Sequence, residues 1–191
     1  MRVHDESCSK TASFLIGIQG VYMNSKTKKL VTTALMTALV CVATLIIKIP
    51  SPLKGYINLG DCIVLLAGWI LSPAFGFFAA GFGSALADLI SGYVLYAPVT
   101  FVIKGLMALV AYIISKQLGK KMGKFSSRLV GGILAEILMV LGYYIFEGAC
   151  YGFIPSAVNI PANCIQGVAG LVIGLVLIQI FEKAKLSVKG R

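Results

Sequence analysis

Three charged residues sit inside the most apolar part of this chain. The stretch from Asn58 to Gly105, NLGDCIVLLAGWILSPAFGFFAAGFGSALADLISGYVLYAPVTFVIKG, is rich in glycine and aliphatic residues, yet it contains Asp61, Asp88 and Lys104. In a bilayer each of these must face protein, water or a ligand, because a charge at the membrane centre costs about 3 kcal/mol or more. The remaining sequence is therefore expected to build a housing around them.

Composition makes the bilayer the expected solvent. The 191 residues are 58% hydrophobic and 13% charged, and the mean hydropathy is +0.92, far too apolar for a soluble domain of this size. The five cysteines, Cys8, Cys41, Cys62, Cys150 and Cys164, form no CxxC pair, and the lone histidine is His4. No metal cluster and no cofactor is expected, and cysteines inside spans read as small apolar residues. The net charge of +10 does not point to nucleic acid. The basic residues flank hydrophobic segments instead of covering a polar face with aromatics, which fits a membrane surface.

Hydropathy and breaker residues predict an all-α integral membrane bundle of six helices. The spans are expected at Leu30–Ile47, Asp61–Leu71, Ala74–Ile90, Val99–Ser115, Leu129–Phe146 and Pro161–Phe181. Pro50 and Pro52 stop the first, Ser72-Pro73 separates the second from the third, and the segment from Gly92 to Pro98 turns the chain into the fourth. The second span is too short to cross unless the segment from Tyr56 to Leu59 adds a turn. Residues 1–25 are expected to form a tail, with Met23 a candidate true start, residues 26–185 the membrane domain, and residues 186–191 a basic tail.

Lys26, Lys28 and Lys29 precede the first span; Lys116, Lys120, Lys121, Lys124 and Arg128 lie between the fourth and fifth; Lys183, Lys185, Lys189 and Arg191 follow the sixth. Only Lys48 and Lys54 flank the opposite side, so both termini are expected to be cytoplasmic. Counting from the span ends at 1.5 Å per residue puts Asp88 about 6 Å and Lys104 about 9 Å below the outer surface. The same count leaves Asp61 and Glu147 at outer helix ends.

Helical spacing sorts the remaining polar groups. In the third span Gly76, Ala80, Gly83, Ser84 and Ala87 form the small-residue stripe that lets helices approach closely, and Asp88 continues it. Two compatible readings of Asp88 and Lys104 stand: a structural ion pair, or one wall of a ligand pocket. In the sixth span Asn159, Asn163 and Gln166 share a face with Gly170 and Gly174. Their amides supply donors and acceptors suited to a flat heterocycle, or else to interhelical hydrogen bonds. Glu136, Tyr143 and Glu147 share a face of the fifth span, with Glu136 assigned to structure or coupling. Tyrosines cluster at the outer rim as an interface belt, Tyr56 and Tyr143 among them, and Tyr93 and Tyr96, which flank the level of Asp88 and Lys104, read either as belt residues or as groups to stack on a flat ring. The candidate substrate site is thus Asn58, Asp88, Tyr93, Tyr96, Lys104, Tyr143, Glu147, Asn159, Asn163 and Gln166. Ala34 and Ala38 form an Ala-x-x-x-Ala step in the first span.

No P-loop, G-x-S-x-G or H-E-x-x-H motif occurs, so neither nucleotide hydrolysis nor these hydrolase chemistries is encoded, and no enzyme is expected. Energy for uphill transport has to come from an ion gradient or a partner. An autonomous ion-coupled transporter, with Asp88, Glu136 and Glu147 as a proton path, is the alternative to a partner-driven one.

The basic N-terminal segment, Ala34-x-x-x-Ala38, Asn58-Leu59-Gly60-Asp61 and GFGSALADLISGYVLYAPVTFVIKGLMAL from Gly81 to Leu109 together resemble the substrate-binding S components of energy-coupling factor (ECF) vitamin transporters. The resemblance runs from about Lys26 to Lys185 and is closest to the riboflavin-type group, which includes hydroxymethylpyrimidine binders. It implies a six-helix bundle in a prokaryotic plasma membrane that holds a vitamin or precursor near the outer face under a loop lid. A transmembrane scaffold subunit and two cytoplasmic ATPases are implied as partners, with release by toppling in the membrane. By that likeness Ala34 and Ala38 meet the scaffold, Pro50 to Tyr56 belong to the lid, and Lys104, Asn159 and Asn163 belong to the pocket.

Overall fold

The second helix is the hub of the molecule, and it is too short to cross a membrane. In a computed structural model of the chain, which describes residues 24–51 and 56–189, the principal helices are α1 (Ser25–Ile46), α2 (Gly60–Ile70), α3 (Pro73–Ile90), α4 (Ala97–Met122), α5 (Lys124–Tyr151) and α6 (Ile160–Lys189). A helical turn at Phe153–Ser156 and a 3-10 turn at Ala157–Asn159 lead into α6. Two compact units are distinguished, Met1–Thr32 and Thr33–Arg191. Of the first, the described part is Asn24 and the opening turns of α1, where the Thr32 hydroxyl donates to the Lys28 carbonyl at 2.8 Å. The second contains the remainder of α1 and every later element. Residues 1–23, which hold most of the expected tail and Met23, residues 52–55 of the expected lid, Lys54 among them, and residues 190–191 lie outside the described residues.

At 1.5 Å per residue the 11 residues of α2 reach only about 16 Å. The sequence GDCIVLLAGWI is apolar nearly all round, and such a helix belongs inside. Val64, Leu65 and Ala67 have no exposed surface, and α2 packs against α3, α4, α5 and α6. The segment Tyr56–Leu59 adds no turn to it, so the second span is too short to cross, the outcome its length in the sequence leaves open. Tyr56–Asn58 forms a strand, β2, paired antiparallel with β1 (Lys48–Pro50) in the register Lys48 to Asn58. Tyr56 and Ile57 are β-branched or aromatic and suit a strand, and Pro50 ends β1 where no further amide is needed.

The stripe of α3 is a packing surface, as its spacing implies. Gly76, Ala80, Gly83, Ser84 and Ala87 are buried. A Cβ on Gly83 would lie 2.6 Å from the Thr37 carbonyl oxygen of α1, and one on Gly68 would lie 2.5 Å from the Ala108 carbonyl oxygen of α4. The backbones meet there because no side chain intervenes. The main core joins Val40, Val64, Leu65, Ala80, Ile103, Met107, Ala108, Ala111, Ala135 and Met139; a second cluster holds Met36, Leu66, Ala67, Leu71, Ala79 and Ile178.

Two boundaries differ from expectation. The polar segment after Ser115 remains helical to Met122, because Lys, Gln, Leu and Met are good helix formers. The break comes at Gly123, whose φ of +82° suits glycine, and α5 starts at the next residue. Glu147 to Tyr151 likewise continue α5, so Glu147 is held by a helix and not by an irregular loop. Among the described residues five helices are long and apolar enough to span a bilayer: Ser25–Ile46, Pro73–Ile90, Ala97–Met122, Lys124–Tyr151 and Phe153–Ala184. Their outer faces carry large exposed apolar side chains, such as Phe82, Leu86, Ile145, Val172 and Val176, as lipid contact requires.

Candidate functional site

The buried ionic residues form two tiers joined by one amide. The lower tier is Asp61, which has no exposed surface, and Lys104, which is 2% exposed. The ammonium of Lys104 pairs with Asp61 Oδ1, and Gln166 Nε2 donates to Asp61 Oδ2 at 2.7 Å. Gln166 Oε1 in turn accepts the Asn58 backbone N–H at 2.8 Å. Asn58 Oδ1 accepts the Gly60 N–H at 2.8 Å and so caps α2. A Cβ on Gly60 would collide with Thr44 Oγ1 at 2.1 Å. Within Asn58-Leu59-Gly60-Asp61, Asn58 thus supplies the cap, Gly60 the gap and Asp61 the counter-ion.

The expected Asp88–Lys104 pair does not form. Counting from span ends treated α2 as a crossing helix with Asp61 at the membrane surface. The β1–β2 hairpin instead precedes α2, and Asp61 at the start of that helix lies between α4 and α6 and takes the ammonium. Paired and enclosed, Lys104 is also absent from the cavity wall, which corrects its place in the candidate substrate site.

The upper tier is a polar cavity lined by Ser51, Tyr56, Asn58, Asp88, Tyr93, Tyr96, Thr100, Tyr143, Glu147, Asn163 and Gln166. Its volume is about 30 Å³, where one water needs about 10–15 Å³, so a molecule much larger than water requires the lining side chains to move. Asp88 Oδ1 accepts the Tyr56 hydroxyl at 2.6 Å, which fastens β2 to α3 across the cavity mouth. Burial, then the Asp88 carboxylate, pushes the Tyr56 phenol well above its ordinary pKa, so it stays a donor. Glu147 is held by Asn159 Nδ2 at 3.0 Å and by the Tyr96 hydroxyl at 3.4 Å. Thr100 and Tyr143 share a hydrogen bond of 3.1 Å. The rings of Tyr56 and Tyr93 lie 4.9 Å apart, and Tyr93 meets Tyr96 edge-on at 6.1 Å.

Of the residues singled out in the sequence, Asn58, Asp88, Tyr93, Tyr96, Tyr143, Glu147, Asn163 and Gln166 gather around this one cavity. Asn159 stands behind the wall as the brace of Glu147. Ser51 and Thr100 were not singled out. Thr100 had a signal, since Tyr96, Thr100 and Lys104 follow at four-residue steps on one face of α4. Glu136 lies away from the cavity, 6% exposed, its carboxylate facing Gly167 and Gly170 of α6 with neither oxygen hydrogen-bonded. Ala34 and Ala38 are both exposed on α1, beside Leu35 and Leu39. Among the described residues no three His, Cys, Asp or Glu side chains gather as metal ligands.

A helical bundle with apolar outer faces and a polar cavity among its helices defines a polytopic membrane protein. Comparison makes the class specific: residues 24–183 match the family described as ECF-type riboflavin transporter, S component, and the chain belongs to that family. It is a substrate-binding subunit of a prokaryotic membrane transport system and not an enzyme. A Pyrococcus woesei protein described as "Uncharacterized protein in gap 3'region" is 37% identical over 136 residues, covering 71% of this chain and 88% of that one. The "Thiamine precursor transporter HmpT" of Lactococcus lactis subsp. cremoris (strain MG1363) is 26% identical over 166 residues, covering 84% and 91%. A solved structure reported under "Structure and mechanism of the S component of a bacterial ECF transporter" superposes with a TM-score of 0.61 at 25% identity, covering 86% of this chain and 99% of that one.

Proposed function

We propose that this S component captures a small vitamin or vitamin precursor in the Asp88–Glu147 cavity at the outer face and delivers it inward through a scaffold subunit driven by two ATPases. The observation that carries this reading is the convergence of Asp88, Glu147, Asn163, Thr100 and four tyrosines on one cavity of the bundle. Buried polar groups without such a purpose would lower stability. The tyrosine rings suit a flat heterocycle, and the amides and carboxylates suit its polar edge.

The orientation rests on charge. Arg128 lies about 28 Å and Lys124 about 34 Å from Glu147 along α5, so these basic residues, with Lys116 near the end of α4, stand at the opposite end of the bundle from the cavity. Basic ends belong in the cytoplasm, so the cavity opens outward and both termini lie inside. The β1–β2 hairpin then forms the lid. Ala34 and Ala38, small and exposed on α1, offer the scaffold helices a surface for close approach. The chain has no ATP-binding motif, so the energy comes from partners.

Reconstitution tests the reading. Liposomes holding this chain with a scaffold subunit and ATPases should accumulate the cargo only with ATP. Uptake by this chain alone, driven by an ion gradient, would overturn the partner-driven mechanism.

A further inference from the structure

We infer that the cavity selects by charge: Asp88 anchors an N–H donor of a neutral or cationic heterocycle, and cargo bearing a phosphate or carboxylate is rejected. This rests on the reading of the cavity as the cargo site and adds the chemical class of the cargo. Asp88 is 5% exposed, and while Oδ1 accepts the Tyr56 hydroxyl, Oδ2 is a buried acceptor without a hydrogen-bond partner. A buried unsatisfied carboxylate oxygen is costly, and Asp88 lines the cavity. A donor brought by the cargo removes that cost; an acceptor or an anion increases it.

The rest of the wall has the same bias. Two carboxyl groups line the cavity, Asp88 and Glu147, and no lysine, arginine or histidine does so among the described residues. Lys104, one turn below Thr100, is withdrawn by Asp61. Lys48 stays outside the wall and donates to Ser91 Oγ at 2.9 Å. With no lysine, arginine or histidine among the described lining residues to meet it, an anionic group entering this space would face two carboxyl groups and lose its hydration. An exocyclic amino group or ring N–H, by contrast, finds a ready charged acceptor, the stronger kind of hydrogen bond.

The test uses the full chain in nanodiscs and three matched pairs of probes: thiamine, riboflavin and 4-amino-5-hydroxymethyl-2-methylpyrimidine, each beside its monophosphate ester. Whichever parent binds, its ester should bind at least about tenfold more weakly, and Asp88→Asn should weaken the parent by about tenfold or more. Glu136→Gln, which removes a buried carboxyl that is not part of the cavity wall, should leave the affinity unchanged. Equal binding of parent and ester, or full affinity in a folded Asp88→Asn protein, overturns charge selection while leaving the cavity as a cargo site. If Asp88→Asn does not fold, the ester comparison on the unaltered chain decides. Failure of every probe and of any co-purified molecule to bind overturns the cargo reading itself.

Discussion

The ammonium of Lys104 on α4 is held by Asp61 at the start of α2, and the pair is closed from solvent on every side. Gln166 and Asn58 complete the acceptors and donors around it, so the short central helix is fixed to α4, α6 and the hairpin at one point. Breaking a buried pair strands the surviving charge and costs about 3–5 kcal/mol. Lys104→Met and Asp61→Leu should each lower stability by about that amount, and the double variant should regain most of it. Lys104→Met combined with Asp88→Leu should regain little. Denaturation in detergent of the singles and both doubles checks this.

Glu136 contributes nothing to its own stability through hydrogen bonds, since neither carboxylate oxygen has a partner. Glu136→Met should leave the melting temperature unchanged or raise it, by the equivalent of about 1 kcal/mol. A fall in melting temperature would reveal a stabilising contact for that carboxyl.

Glycines differ in what they face. At Gly68 a methyl group meets the backbone carbonyl of Ala108 at 2.5 Å, which cannot yield without moving α4 from α2. At Gly167 it meets Glu136 Oε2 at 3.1 Å and Glu136 Cβ at 3.2 Å, contacts that a shift of a few tenths of an ångström relieves. Gly68→Ala should therefore destabilise by about 1–3 kcal/mol, and Gly167→Ala by less. Paired melting curves distinguish them.

If the exposed alanines of α1 meet the scaffold, Ala34→Trp and Ala38→Trp should leave cargo affinity intact and abolish ATP-dependent uptake. Loss of affinity in either variant would instead place α1 inside the fold of the site.

Much of this architecture was legible because lipid permits few alternatives. Apolar runs, Pro73, the turn around Gly92 and the α3 stripe mark helices whatever their neighbours do. The cavity residues were legible for the same reason: Asp88, Glu147, Asn163 and Gln166 are polar where lipid forbids it, and one interior polar site gathers them. The pairing of the charges was not legible. Lys104 has two carboxylates within plausible reach, and the choice depends on the depth of α2. That depth depends on a hairpin of six paired residues whose pattern is too short to announce itself. Glu136 was placed outside the pocket by depth alone, and its carboxyl indeed faces glycines of α6 and not the cavity.

The central claim is that the polar cavity is where cargo sits. Isothermal titration of the molecule released from the purified chain, into the unaltered protein and into folded Asn163→Trp, tests it most directly. One-to-one binding by the first, with loss of at least about a hundredfold when the indole fills the cavity, is the predicted result. Undiminished binding by folded Asn163→Trp would contradict it.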